Sequence, residues 1–216
     1  MSPPYNPPSF AVTGTQECLE FARAYSFATL VSAGDEGPVA THLPLLMDVG
    51  ANGAIEIVGH MARANLHWQQ AHGQSVLAIF SGPHAYVSAS VYQAENVVPT
   101  WNYMVVHAGG VFHALEDIEQ NLVILKRTVA FYEQGRPQPW SFESDNAYHR
   151  KLADSIVGFR IRVERLNGKF KLSQNQSLER QQRVADSLLS SASEIEHNVA
   201  LKMHAQSAQY PQKSVK

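Results

Sequence analysis

Residues 26–59 alternate short apolar runs with breaks rich in Gly, Asp and Asn, and no other feature restricts the fold as much. Residues 26–33 (SFATLVSA), 38–47 (PVATHLPLLM) and 54–59 (AIEIVG) each have the length of a strand. Residues 34–37 and 48–53 between them hold the residue types that tolerate tight, left-handed turns. Three such segments in succession predict an antiparallel meander. Residues 74–80 (QSVLAIF) form a fourth strand, apolar enough to be central, which Ser81-Gly82-Pro83 breaks and which residues 85–88 resume. Residues 103–115 read as a long strand in which Gly109-Gly110 marks a bulge or bend. In residues 155–166, Phe159, Ile161 and Val163 alternate with Arg160, Arg162 and Glu164, as in a strand with one buried face.

Helices are predicted over 15–24, with Thr15 as a candidate cap, over 65–72, over 117–134 and over 178–189. The 117–134 segment places Ile118, Leu122, Leu125, Val129 and Tyr132 on one stripe, with Asp117 to cap it and Gly135 and Pro137 to end it. Strands on both sides of this helix, with few parallel crossovers, give a mainly β fold: an antiparallel barrel with peripheral helices. Four prolines make residues 1–12 an extended arm. Residues 13–190 are read as one domain, and residues 191–216 as a polar, patternless, mobile tail.

The chain has 216 residues, 44% of them apolar and 17% charged, which suits one globular domain with a sizeable core. A net charge of -2 gives no global electrostatic reason to seek nucleic acid or an anionic membrane, so direct binding to either is not expected. The single cysteine, Cys18, permits no intrachain disulfide and suggests a reducing compartment. The first residues show neither a basic region nor an apolar run of the secretory type, so a cytoplasmic location is expected.

Residues 59–65 (GHMARAN) leave a strand and approach a helix, where free backbone N–H groups favour an anion. Arg63 adds a fork of donors shaped for phosphate, and Asn65 either caps the helix or donates to the same ligand. An exposed arginine beside an ordinary cap is the competing reading. Residues 81–86 (SGPHAY) and 99–103 (PTWNY) combine aromatic and hydrogen-bonding side chains, which suits a planar ligand as well as it suits a self-packed loop. The ten histidines fall in no metal-binding helical pair, and His67 and His72 are five apart, so no structural zinc is expected. No Gly-x-Gly-x-x-Gly, P-loop or Gly-x-Ser-x-Gly pattern occurs, which excludes the dinucleotide, NTPase and serine-hydrolase readings.

Seven collinear strings carry a resemblance: residues 27–32 (FATLVS), 40–46 (ATHLPLL), 59–65 (GHMARAN), 80–88 (FSGPHAYVS), 98–103 (VPTWNY), 156–159 (IVGF) and 171–175 (KLSQN). In order and separation they resemble the PaiB-like family of FMN-binding split-barrel proteins. The resemblance implies a split β-barrel, FMN as cofactor and a homodimer with flavin at the subunit seam. It places the flavin phosphate near Arg63, Asn65 and His60, and the ring near Thr41, His42 and Leu43. Trp101, Asn102, Ser173 and Gln174 would close the pocket, from the partner subunit in one arrangement. Family members often carry Ser-x-Ser-Trp-Tyr where this chain has Val91-Tyr92, and Arg-Pro where it has Gln176-Ser177. The second departure removes a cation from the implied pocket.

The expected function is therefore that of a flavin-dependent oxidoreductase, in which the flavin carries the electron chemistry and the protein positions it. The family's name supplies an alternative, a transcriptional regulator responsive to flavin or redox state. Haem binding or breakdown is the third reading, since histidines abound.

Overall fold

The structure, a computed structural model, describes residues 5–34, 36–50 and 52–209. The expectations for residues 1–4 of the arm, for Asp35 and Ala51 in the two turns, and for residues 210–216 of the tail lie outside them.

Among the described residues eight strands make one sheet: β1 (Ala11–Val12), β2 (Phe27–Gly34), β3 (Gly37–Pro44), β4 (Leu46–Val49), β5 (Ile55–Ala62), β6 (Ser75–Val87), β7 (Thr100–Leu115) and β8 (Ile156–Lys171). The helices are α1 (Thr15–Ala24), α2 (His67–Ala71), α3 (Ile118–Glu133), α4 (Ala147–Ala153), α5 (Leu178–Leu189) and α6 (Glu194–Gln209). The strand order is β3-β2-β6-β7-β8-β5-β4, with β1 added to β8. Among the described residues no helix is long and apolar enough to cross a membrane.

The chain divides into two compact units. Among the described residues, 15–80 and 106–166 form one, and 5–14, 81–105 and 167–209 form the other. In the first unit, β3 and β4 stand at opposite ends of the strand order although only Leu45 separates them in sequence. The sheet must therefore curl until its ends approach, while no ladder among the described residues closes it. This is the open, split form of a barrel. The expected meander is corrected here. Residues 38–47 are two strands, and β3 pairs with β2 while β4 pairs with β5. Pro44 has no N–H to continue the ladder, and the fully buried Leu45 turns inward with its N–H on the Ser26 carbonyl at 2.8 Å. Leu30, Ile57, Phe80, Phe112, Phe159 and Ile161 fill this core, with the Phe112 and Phe159 rings 4.6 Å apart.

The break expected at Ser81-Gly82-Pro83 does not occur, and β6 runs on to Val87. The β2 ladder on β6 ends at Ile79, so Pro83 meets no partner strand on that side that needs its missing donor. Asp117 caps α3 through the Gln120 N–H at 2.9 Å, and Gly135, at φ 84°, releases the chain as the sequence indicated. Helix α4 was not legible, although Asn146 caps it by accepting from the N–H groups of Tyr148 and His149.

The glycine at position 158 has a packing cause. Asn121 of α3 is fully buried against β8, accepts from Gly158 N at 2.8 Å and donates to the Ile156 carbonyl at 3.4 Å. A Cβ at position 158 would stand 2.6 Å from Asn121 Oδ1, so only glycine leaves room for the amide. Asn121→Leu should strand the Gly158 donor and cost about 1–3 kcal/mol of unfolding free energy, read by urea titration. A midpoint equal to the parent's would show that the amide does no more than fill space.

In the second unit the arm is tied down rather than simply extended. Asn6 Nδ2 donates to the Gly168 carbonyl at 2.9 Å, and Ala11 and Val12 pair with Lys169 and Gly168. The segment read as a patternless tail is corrected as far as Gln209. It forms α6, whose Val199, Ala200 and Met203 are buried and which packs on α5. The apolar positions 199, 200 and 203 lie at helical spacing, but the polar residues between them obscured the stripe.

Candidate functional site

Two clusters, one in each unit, hold the residues singled out in the sequence. In the first unit the centre is His67, buried at 2% exposure. Its Nε2 meets Ser32 Oγ of β2 at 2.8 Å and its Nδ1 meets Thr41 Oγ1 of β3 at 2.8 Å. Asn65 donates from Nδ2 to Thr41 Oγ1 at 3.3 Å and accepts the His67 N–H on Oδ1 at 3.1 Å. Thr41, Asn65 and His67 close a ring of hydrogen bonds through the His67 N–H, with Ser32 attached to it at Nε2, so Thr41 and Asn65 fix the turn after β5. His67 was missed as a member of this group. The signal available was Asn65-x-His67, the spacing at which an Asn side chain closes on the backbone two residues on.

Burial holds His67 below its ordinary value of 6.5, and burial does the same to His60. The unfolded chain therefore takes up protons before the folded one does. The contribution to stability is present above about pH 6.5 and is lost as pH falls from there through the folded-state values. The melting temperature should drop between about pH 7 and pH 5, and less steeply in His67→Gln. Equal slopes would remove His67 as a cause.

Arg63 follows β5 directly. Its Nε donates to the Asp154 carbonyl at 2.8 Å and Nη2 to the Ile156 carbonyl at 3.1 Å, while its own carbonyl accepts from Trp68 Nε1 at 3.1 Å. Two carbonyls thus orient the fork, and no carboxylate among the described residues neutralises it. A half-buried guanidinium, oriented yet unneutralised, fits a phosphate. The expected helix start is corrected. The segment 65–72 shrinks to α2, a helix of five residues whose N-cap is Leu66 and not Asn65. A helix this short presents no strong N-terminal dipole to an anion.

The remaining predictions for this unit divide. His60 lies half-buried within β5, and its Nδ1 is buried without a hydrogen-bond partner among the described residues. His42 is exposed, its ring stacked 6.5 Å from Phe27. Leu43 is buried in the core, which leaves its backbone, not its side chain, to meet a ligand.

In the second unit Asn102 is fully buried and exchanges hydrogen bonds with Ser173: Nδ2 to Oγ at 3.0 Å, and Oγ to Oδ1 at 3.2 Å. Ser173 sits at φ 68°, a left-handed conformation that a serine adopts at some cost in energy. Gln174 folds back on its own strand, donating to the Phe170 carbonyl and accepting from Leu172 N at 2.7 Å. Trp101 is 52% exposed, with Tyr86 edge-on and His84 tilted, each at 5.9 Å. Arg180 stands beside Gln176. Arg180 Nη1 donates to Gln176 Oε1 at 3.1 Å and lines the same cavity as Lys171. Neither cation was chosen from the sequence, because their approach depends on the turn at Ser173.

Residues 4–165 match the family model described as "Putative FMN-binding domain". The Protease synthase and sporulation protein PAI 2 of Bacillus subtilis is 39% identical over 181 residues, covering 80% of this chain and 83% of that one. Two solved structures share the fold. The flavocytochrome Anf3 of Azotobacter vinelandii matches at TM-score 0.57 and 15% identity, over 74% of this chain and 69% of its own. A FAD and heme binding protein of Mycobacterium smegmatis matches at TM-score 0.59 and 12% identity, over 79% and 78%.

Proposed function

The chain belongs to the FMN-binding domain family that matches residues 4–165, and from that premise we propose that Arg63 holds the phosphate of FMN in a flavin-dependent oxidoreductase that works as a homodimer. The carrying observation is the Arg63 fork, oriented by the carbonyls of Asp154 and Ile156 and left without a carboxylate. Phosphate supplies the missing charge. The unpartnered Nδ1 of His60 and the amide of Asn65 supply further polar contacts on the same stretch of chain. The backbone and hydroxyl at Thr41, with His42 and Leu43, offer polar atoms to the ring edge. Trp101, Asn102, Ser173 and Gln174 are the groups a second copy contributes, and the exposed indole of Trp101 suits a subunit seam.

FMN, when bound, supplies electron transfer in one- or two-electron steps. The chain's own part is to bind, to orient and to keep water from the ring. No paired acid and base is needed for that work, which agrees with the absence of such a pair from the cluster around His67.

The test is titration of flavin-stripped protein with FMN and with riboflavin, followed by flavin fluorescence. FMN should bind about tenfold to a hundredfold more tightly than riboflavin, the worth of charge-assisted contacts to phosphate. Equal affinities would defeat the placement at Arg63, and no binding of either would defeat the reading as a whole. Sedimentation should give twice the chain mass, and anaerobic NADH or NADPH should bleach the bound flavin. A monomer, or flavin that stays oxidised with both donors, would strike out the corresponding clause.

A further inference from the structure

His67 sets a ring nitrogen against a hydroxyl on each side, Nε2 against Ser32 Oγ and Nδ1 against Thr41 Oγ1, both at 2.8 Å. A neutral imidazole carries one N–H, so one of these nitrogens donates and the other accepts. Burial holds His67 below its ordinary 6.5, so above about pH 7 the ring is in that neutral form. The two hydroxyls decide which nitrogen bears the proton, and they are not equivalent. Ser32 is buried at 3% exposure, and among the described residues its hydroxyl has His67 Nε2 as its sole partner. Thr41 is half-buried on β3.

With the proton on Nε2, the ring donates to Ser32 Oγ, and the Ser32 hydroxyl hydrogen is left in the interior with no acceptor. A buried donor without a partner is costly. With the proton on Nδ1 the difficulty disappears. Ser32 gives its one hydrogen to Nε2, and Nδ1–H donates to Thr41 Oγ1. The burial of Ser32 therefore selects the Nδ1–H tautomer.

The consequence falls on Thr41. Asn65 Oδ1 accepts the His67 backbone N–H at 3.1 Å, which fixes the amide so that Nδ2 donates to Thr41 Oγ1 at 3.3 Å. Thr41 Oγ1 thus accepts twice, from Asn65 and from His67, and a hydroxyl oxygen has two lone pairs. Its capacity to accept is filled. Its own hydrogen meets no acceptor among the described residues.

We propose that Ser32 and His67 are positioning residues that make Thr41 a hydrogen-bond donor only, so that a ring edge bound there must present an acceptor. The identity of that ring rests on the flavin reading above. Of the polar atoms on an oxidised flavin ring, the imide N–H is then refused at Thr41, and carbonyl oxygens and bare ring nitrogens are admitted. Ser32, Thr41, Asn65 and His67 all belong to one unit of the chain.

The test begins with flavin-stripped, full-length protein labelled with nitrogen-15. Long-range proton–nitrogen NMR of the imidazoles reads the tautomer, and the signals lost in His67→Gln identify the ring. His67 should carry its proton on Nδ1 and leave Nε2 bare, both without flavin and after FMN is added. Ser32→Ala removes the group that makes the choice, so both tautomers should appear. Thr41→Val should weaken FMN and riboflavin alike, about twofold to tenfold, because the contact is to the ring and not to the phosphate. Thr41→Ser, which keeps the hydroxyl, should recover most of that loss. A proton on Nε2 in the flavin-free parent would overturn the proposal. So would a tautomer unchanged in Ser32→Ala, or flavin affinities unchanged in Thr41→Val. A parent that binds neither flavin would defeat the flavin reading instead, whereas the tautomer is read without flavin and decides the donor by itself.

Discussion

Arg63→Ala is expected to weaken FMN about tenfold to a hundredfold while leaving riboflavin affinity nearly unchanged. The contrast between the two ligands is what gives the experiment its force, because Arg63 has two jobs. Its Nε and Nη2 hold the carbonyls of Asp154 and Ile156, which join α4 to β8. Truncation therefore loosens that junction and lowers stability by about 1–2 kcal/mol in addition to removing a phosphate contact. A junction effect alone would weaken both flavins equally, since riboflavin differs from FMN only in the missing phosphate. A charge effect would appear only with FMN, and would shrink as salt is added. Arg63→Lys separates the two further. It keeps the charge but not the planar fork, so it should recover part of the FMN affinity and little of the stability. Equal losses for FMN and riboflavin in Arg63→Ala would make the residue a structural clamp and move the phosphate elsewhere.

The elements that the sequence predicted well are those whose signals are local. The α1 and α5 bounds follow from periodicity: α1 spans the predicted 15–24, with Thr15, the candidate cap, as its first residue instead, and α5 runs over the predicted 178–189, where the structure adds Ser177 as its cap. The α3 stop follows from Gly135. The pairing of strands was not local, and there the reading failed. Residues 38–47 look like one strand because Thr41, Leu43, Leu45 and Met47 alternate, yet Leu45 is where the chain passes from one end of the sheet to the other. β4 finds its partner in the nearby β5, but what carries that hairpin to the far end of the sheet is the pairing of β5 with β8, roughly a hundred residues later. The site divides in the same way. Arg63 and Asn65 were found because a strand end with donors is a short-range pattern. His67 escaped because its partners are Ser32 and Thr41, and Lys171 with Arg180 escaped because their cavity needs the left-handed turn at Ser173. Side chains brought together by pairing leave no mark in spacing.

Gly110→Ala should be the most destabilising single change in the barrel. The two glycines in β7 were expected to mark a bulge or a bend, and the strand runs over Thr100–Leu115. The reason for the glycine at 110 is close approach. A Cβ there would overlap the backbone carbonyl of Arg162, with Val163 Cα only 3.0 Å away. Main chain on the neighbouring strand cannot step aside as a side-chain tip can, so β7 and β8 must separate locally and give up packing around Phe112 and Phe159. The expected cost is about 3 kcal/mol or more, which lowers the melting temperature by roughly 6–12 °C in a chain of this size. Gly53→Ala is the control. Its φ of 79° also favours glycine, but a Cβ there would meet nothing within 4 Å. It should cost only the conformational penalty of about 1 kcal/mol. Gly110 touches no proposed ligand group, so added FMN should raise the melting temperature of Gly110→Ala about as much as that of the parent. Ligand stabilisation depends on affinity and concentration, not on how stable the unliganded protein is. A Gly110→Ala protein as stable as Gly53→Ala would show that the two strands stand further apart than the backbone contact at Arg162 requires.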